Sequence, residues 1–175
     1  MSIYFSSDHH FGHAAARAFY RRPFSSVDEM DREMIERWNA AVALSDEIWH
    51  LGDFAVRQSP ERVACLLSML HGRKHLITGN NDDRAVTGCP GWASIQTYAE
   101  IIVNTTRLVL CHYPFRTWRD MAKGAVNLHG HSHGRLKPLR HQFDVGVDAR
   151  DFGPVLLEQL LSGGTASVHG SGEAV

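Results

Sequence analysis

The sequence predicts an α/β sandwich, two sheets packed face to face with helices outside. Three observations carry that reading. Strand-like and helix-like segments alternate as β, α, β, α, β through the first half of the chain. Further on, the pattern gives way to β-rich runs joined as a hairpin, and five strand-like runs each deliver polar residues to a sharp turn. At 175 residues the chain has the length of one domain and can bury a core without disulfide or structural-metal support. A single domain is expected over residues 1–161, followed over 162–175 by a Gly-, Ser- and Ala-rich tail with the composition of a disordered segment.

Ile3 to Phe5 is the first short strand, an apolar run that opens onto Ser6, Ser7, Asp8, His9, His10, Phe11, Gly12 and His13. Ser26, with Glu29 three residues on, makes a capping box. Val27, Met30, Met34, Ile35, Trp38 and Val42 then recur at helical spacing, so a long amphipathic helix follows. Glu47 to Leu51 is the second strand and opens onto Gly52, Asp53 and Phe54. Ser59 and Pro60 start a helix with the face Val63, Leu66, Leu67 and Leu70, which Gly72 closes. His75 to Thr78, the third strand, runs into Gly79, Asn80, Asn81 and Asp82. Ile95 to Val103 and Leu108 to Cys111 form a hairpin around Asn104 to Arg107, and its second arm ends at His112. After the less regular stretch from Tyr113 to Lys123, Ala125 to Leu128 delivers His129, Gly130, His131, Ser132, His133 and Gly134. Phe143 to Val147 is the last full strand, and Pro154 begins a short apolar segment through Leu161, either helix or strand edge.

Eighteen Lys plus Arg against 19 Asp plus Glu leave no basic footprint for binding long nucleic acid, so any affinity for phosphate must be local. Cys65, Cys89 and Cys111 are an odd, scattered set without a C-x-x-C pair, which suits a reducing compartment. The opening residues lack a basic then apolar leader, and no window approaches the ~18 apolar residues of a membrane span. The expectation is a soluble cytoplasmic protein.

Seven residues at the strand-to-loop junctions stand out: Asp8, His10, Asp53, Asn80, His112, His131 and His133. Two divalent cations about 3.5 to 4 Å apart need a shared carboxylate with oxygen and nitrogen ligands on either side. Asp8 and His10 can meet one ion, Asp53 can bridge, and Asn80 offers a neutral amide oxygen. The three remaining histidines complete the shells. Mixed imidazole and oxygen ligands favour Mn, Fe, Zn or Co over Mg or Ca, with manganese the expected metal. The absence of nearby cysteine argues against a structural zinc site.

Asp8-His9-His10, Gly52-Asp53, Gly79-Asn80-Asn81-Asp82, the lone His112 and Gly130-His131-Ser132-His133, in this order, resemble the motifs of the calcineurin-like metallophosphoesterases, in particular their small bacterial, archaeal and phage members. The resemblance spans nearly the whole chain. It implies a four-layer αββα sandwich of two mixed sheets with a dinuclear centre on its upper edge. It assigns Asp8, His10, Asp53 and His133 to the first metal, and Asp53, Asn80, His112 and His131 to the second. The implied activity is cleavage of phosphodiesters or activated phosphoesters by in-line attack of a metal-bridging hydroxide. The expected substrate is a small phosphoester or nucleotide-like molecule.

The chain departs from the family at Asn81, where histidine is usual. An amide cannot act as an acid but can hydrogen-bond a phosphate oxygen, so Asn81 is a candidate catalytic residue, with His13 as a substitute proton donor. Arg116 and Arg84 are candidate phosphate binders. His129 reads as a supporting rather than a ligating residue, Phe115 and Trp118 as packing. His50, His71, His75, His141 and His169 read as surface or capping residues, and Arg17, Arg21 and Arg22 as a solvated basic group. The alternative to an enzyme is a catalytically weak metal-binding module with an interaction or regulatory role, for which Asn81 is the one supporting feature.

Overall fold

The computed structural model describes residues 1–137 and 139–163, so the expected tail lies outside the described residues from position 164 onward. The elements are β1 (Ile3–Ser6), α1 (Ala14–Phe19), α2 (Val27–Ala41), β2 (Glu47–His50), α3 (Pro60–Met69), β3 (Arg73–Ile77), α4 (Arg84–Thr87), β4 (Ser94–Gln96), β5 (Tyr98–Val103), β6 (Thr106–Cys111), β7 (Val126–His129), β8 (Gln142–Asp144), β9 (Val155–Leu156) and α5 (Leu157–Gly163). Single 3-10 turns cover Met121–Lys123 and Val147–Ala149.

Two mixed sheets form the sandwich. The first has the order β4-β3-β2-β1-β9, parallel except for β9, and the second β5-β6-β7-β8, in which only β5 and β6 are antiparallel. Strand alternation sorts the core. Ile48 and Leu76 face α2 and α3 and meet Met30, Met34, Trp38, Val63 and Leu66. One residue on, Phe5, Trp49 and Ile77 face the second sheet and meet Leu108, Leu110, Val126 and Leu128. The outer face of the second sheet carries a thinner layer, where Phe115, Trp118 and Met121 pack on Val109 and Ala125. Ser26 Oγ accepts the Glu29 amide and Ser59 Oγ the Arg62 amide, the helix starts the sequence marks. Among the described residues no helix is long and apolar enough to cross a membrane.

Several expectations need correction. Ile95 to Val103 is two strands, because the chain changes sheets at Thr97: Gln96 pairs with Ile77 in the first sheet and Tyr98 with Cys111 in the second. The last long strand stops at Asp144, whose carboxylate accepts the Gly146 amide at 2.7 Å and turns the chain. His50 and His75 are buried rather than superficial. His50 shares the helix-facing side of β2 with Ile48, and its Nε2 lies 2.9 Å from His9 Nδ1 among Trp38, Phe54 and Trp92. His75 stacks on Trp49 and bonds Ser94 Oγ. His71 does cap, reaching the Val42 carbonyl, whereas His169 lies outside the described residues. Arg22 is also buried. Helices α1 and α4, each under two turns, carry too few apolar repeats to read from sequence.

Burial holds the His50 imidazole down to about pKa 3, with Asp53 opposing that shift and His112 and His10 adding to it. Because this value lies below the ordinary 6.5, the neutral pair stabilises the fold fully above pH 6.5, and that contribution is lost as pH falls from 6.5 toward about 3. Between those limits the thermal midpoint of the wild type should drop further than that of His50→Gln, whose amide does not titrate. Parallel pH profiles would contradict the assignment.

Candidate metal centre

In open α/β sheets, the loops beyond the carboxyl ends of parallel strands gather polar groups. Here β1 delivers Asp8 and His10, β2 Asp53, β3 Asn80, β6 His112, and β7 His131 and His133. The backbone bends sharply at five of them: Asp8, His10, Asp53, His131 and His133 have φ between 48° and 66°. Side-chain-bearing residues adopt that region at a cost of roughly 1–2 kcal/mol each. Such strain survives only where surroundings hold it, and here the loops hold one another. The Asp8 amide donates to the Gly52 carbonyl at 2.9 Å, the His10 amide to the Asp53 carbonyl at 3.0 Å, and the His131 amide to the Asp8 carboxylate at 3.0 Å. Gly130 permits the last contact, since a Cβ there would fall 2.5 Å from Asp8 Oδ2 and closer still to Ser7 Oγ.

The seven side chains form two groups about Asp53. Its Oδ2 lies 3.5 Å from His10 Nε2 and its Oδ1 3.7 Å from His112 Nε2. On the first side Asp8 Oδ1 is 3.8 Å from His133 Nε2, and the His10 and His133 rings are 5.3 Å apart. On the second, Asn80 Oδ1 is 3.1 Å from His112 Nε2, and the His131 ring is 5.1 Å from that of His112. Asp8, His10, Asp53 and His112 are buried, and Asn80 and His131 are exposed, so the cluster has a closed floor and an open rim. Asp8 with His10 and His133, and Asp8 with Asp53 and His112, are each compact enough to surround a cation.

The electrostatics fit a cation. Burial pushes the Asp8 carboxyl well above its ordinary pKa, and repulsion from Asp53 and Asp144 adds to this. At Asp53 burial acts in the same direction, but His112 and two hydrogen bonds from Asn81 outweigh it and keep the carboxyl low. Burial lowers His10 to about 3, leaving the neutral imidazole that a metal requires. Both of its ring nitrogens are buried without a hydrogen-bond partner among the described residues. Orphaned donor atoms beside clustered carboxylates are what a divalent ion would satisfy.

The braces around the cluster were not expected. Asp148 takes His133 Nδ1 at 2.7 Å and the Arg22 guanidinium at 2.8 Å through two nitrogens. Arg22 also donates to the Asp8 and His9 carbonyls, both at 2.7 Å. Tyr20 stacks on His133 at 3.5 Å between ring centres. Asp82 binds the Asp53, Phe54 and Gly79 amides, and burial raises its carboxyl to about 6 against those donors. His112 Nδ1 is fixed by the Leu51 carbonyl at 2.7 Å. Asp148 follows Gly146 after a strand, the same junction pattern as the seven candidates, and that signal could have found it.

Asn81 donates its side-chain amide to Asp53 Oδ2 at 2.6 Å and its backbone N–H to Oδ1 at 2.8 Å. The His13 ring lies 5.5 Å from that of His10, half-buried at the mouth. Arg84 and Arg116 are exposed, and their side chains make no polar contact with the cluster among the described residues. His129 bonds the Gly130 carbonyl, the supporting place expected of it.

Residues 1–143 match the calcineurin-like phosphoesterase superfamily domain. An uncharacterized protein of Methanocaldococcus jannaschii is 29% identical over 167 residues, covering 91% of this chain and 89% of its own. The gene 66 protein of Mycobacterium phage L5 is 28% identical over 181 residues, covering 85% and 87%. The crystal structure of a protein of unknown function from Aquifex aeolicus shares the fold at a TM-score of 0.72, with 21% identity over 91% of this chain and 97% of that one.

Breaking a buried ion pair from one side is costly, on the order of 3–5 kcal/mol, and Arg22→Met strands Asp148 in this way. Urea denaturation should show a loss of about 3 kcal/mol or more. A loss below about 0.5 kcal/mol, the usual range of surface substitutions, would show that Arg22 does not hold the site together.

Proposed function

The chain belongs to the calcineurin-like phosphoesterase superfamily, and from that membership we propose that it is a metal-dependent phosphoester hydrolase with two divalent cations, manganese first among the metals to test. The observation that carries this reading is the placement of Asp53, with one carboxylate oxygen toward His10 and the other toward His112. Asp8, His10, Asp53 and His133 would hold one ion, and Asp53, Asn80, His112 and His131 the other. Such ions lower the pKa of bound water from ~15.7 toward ~7 and offset negative charge on a phosphoryl group.

The chain's own residues do the rest. Neutral imidazoles keep lone pairs available, as the depressed pKa of His10 supports. Asp148 and the Leu51 carbonyl fix the rings of His133 and His112, the kind of support that orients metal ligands. Asn81 orients Asp53 and supplies no proton to a leaving group. His13, its ring 5.5 Å from that of His10, is the nearby candidate for that role; burial with the Arg22 and Arg57 charges lowers its pKa, so its proton-donating form is favoured on the acidic side. A site with weak acid assistance suits phosphodiesters and phosphoesters with good leaving groups. Exposed Arg84 and Arg116 remain candidates for meeting the substrate phosphate, and the cytoplasm is the proposed compartment.

Metal-stripped protein, assayed on bis-p-nitrophenyl phosphate and p-nitrophenyl phosphate with Mn, Fe, Zn, Co, Ni or Mg restored singly, should regain turnover with at least one ion and none in Asp53→Asn. Turnover independent of metal, or retained in the variant, would contradict the proposal. Asn81→His should accelerate esters with poor leaving groups more than activated ones, toward the ~10²-fold typical of general acid help. Equal effects on both would remove Asn81 from leaving-group chemistry.

A further inference from the structure

A cleft of about 760 Å³ opens beside the metal centre, starting at Ser132 and Gly134, the neighbours of His133 in the chain. Residues 134–143 hold Arg135, Lys137 and Arg140 and no acid, in a chain whose net charge is −1. Lys137, Arg140 and Arg150 line the cleft.

Arg150 makes the argument specific. It is half-buried, and the one hydrogen bond of its guanidinium is from Nε to the Asp144 carbonyl at 2.7 Å. A guanidinium has five N–H donors, so four are without a protein partner among the described residues, and no carboxylate forms an ion pair with it there. The contrast is Arg22, whose guanidinium is spent on Asp148 and two carbonyls. Asp144, the one carboxylate among the described residues lining the cleft, attracts the Arg150 charge but forms no ion pair with it: Oδ2 accepts Ser132 Oγ at 2.6 Å and the Gly134 amide at 2.8 Å, and Oδ1 accepts the Gly146 amide at 2.7 Å. An under-bonded, partly desolvated arginine in a cleft lined by two further cations is arranged for an anion, and the forked guanidinium matches phosphate oxygens. Leu136, Leu139 and Leu161, 51%, 45% and 40% exposed, supply apolar wall beside the cations.

We propose that this cleft is a second phosphate subsite, so that the preferred substrate is a phosphodiester bearing another phosphate on the carbon skeleton next to the scissile one. The inference rests on the hydrolase reading and names its substrate class. The leucines accommodate the uncharged body that links the two phosphates. Local cation density also reconciles phosphate recognition with a near-neutral chain.

The test compares kcat/KM for the 5′-p-nitrophenyl ester of thymidine 5′-phosphate with that for the same ester carrying a 3′-phosphate. A parallel pair is built on propane-1,3-diol. The second phosphate should raise kcat/KM about tenfold or more, the worth of a charge-assisted hydrogen bond, chiefly through KM. Arg150→Met and, independently, the exposed Lys137→Met should bring the ratio toward one. A merely structural role for Arg150 would lower both esters alike and leave the ratio intact. A gain in both series assigns recognition to the phosphate alone, and a gain in the thymidine series alone adds the apolar wall. No gain in either series, or a ratio unchanged in both variants, overturns the subsite. If no ester is turned over, the hydrolase reading fails. Calorimetric titration with thymidine 3′,5′-bisphosphate against thymidine 5′-phosphate then decides the cleft, equal affinities counting against it.

Discussion

Two buried carboxylates, with no lysine or arginine paired to them among the described residues, set the terms for this structure. Asp8 and Asp53 are at most 2% exposed, and Asp53 adds to the cost of ionising Asp8. Arg22, the cation buried beside them, gives its guanidinium to Asp148 and to backbone carbonyls. Burial lowers the pKa of His10 and of His112 alongside them. Buried charge that is not paired within the protein needs a partner from outside it, and the orphaned nitrogens of His10 lie at the same place.

The fold is organised to tolerate this. Parallel strands in both sheets direct their carboxyl ends to one edge, so five loops share a space in which no single loop could supply a shell of ligands. They are tied across rather than along the chain: the Asp8 amide to Gly52, the His131 amide to Asp8, the His112 ring to Leu51, and the Asp53 amide to Asp82. These ties offset the strain of five side-chain-bearing residues with positive φ. The geometry of the candidate site is thereby held by contacts within the chain itself.

The seven candidate ligands were legible because each ends an apolar run, a change of character that a linear reading detects. Helices α2 and α3 were legible for the same reason, through their caps and periodic faces. Arg22 was not, since its partner Asp148 lies 126 residues away and a run of arginines reads as solvated surface. The burial of His50 follows from the strand alternation that places it with Ile48, against the polarity of its side chain. The split of residues 95–103 between two sheets leaves no local mark, because the composition stays β-rich across Thr97 while the partner strand changes. What a linear reading lacks is which distant element completes a contact, as with Arg22 and Asp148 or Asp53 and Asp82.

The most direct test of the central claim is the number of metal ions the folded chain retains. Apoprotein equilibrated with manganese, passed over a desalting column and analysed by plasma mass spectrometry, should carry two ions per chain and unfold at a higher temperature than the apoprotein. Asp53→Asn should carry one or fewer. A wild-type chain that retains no metal and gains no thermal stability would contradict the account, because the buried carboxylates would then be balanced by something other than cations.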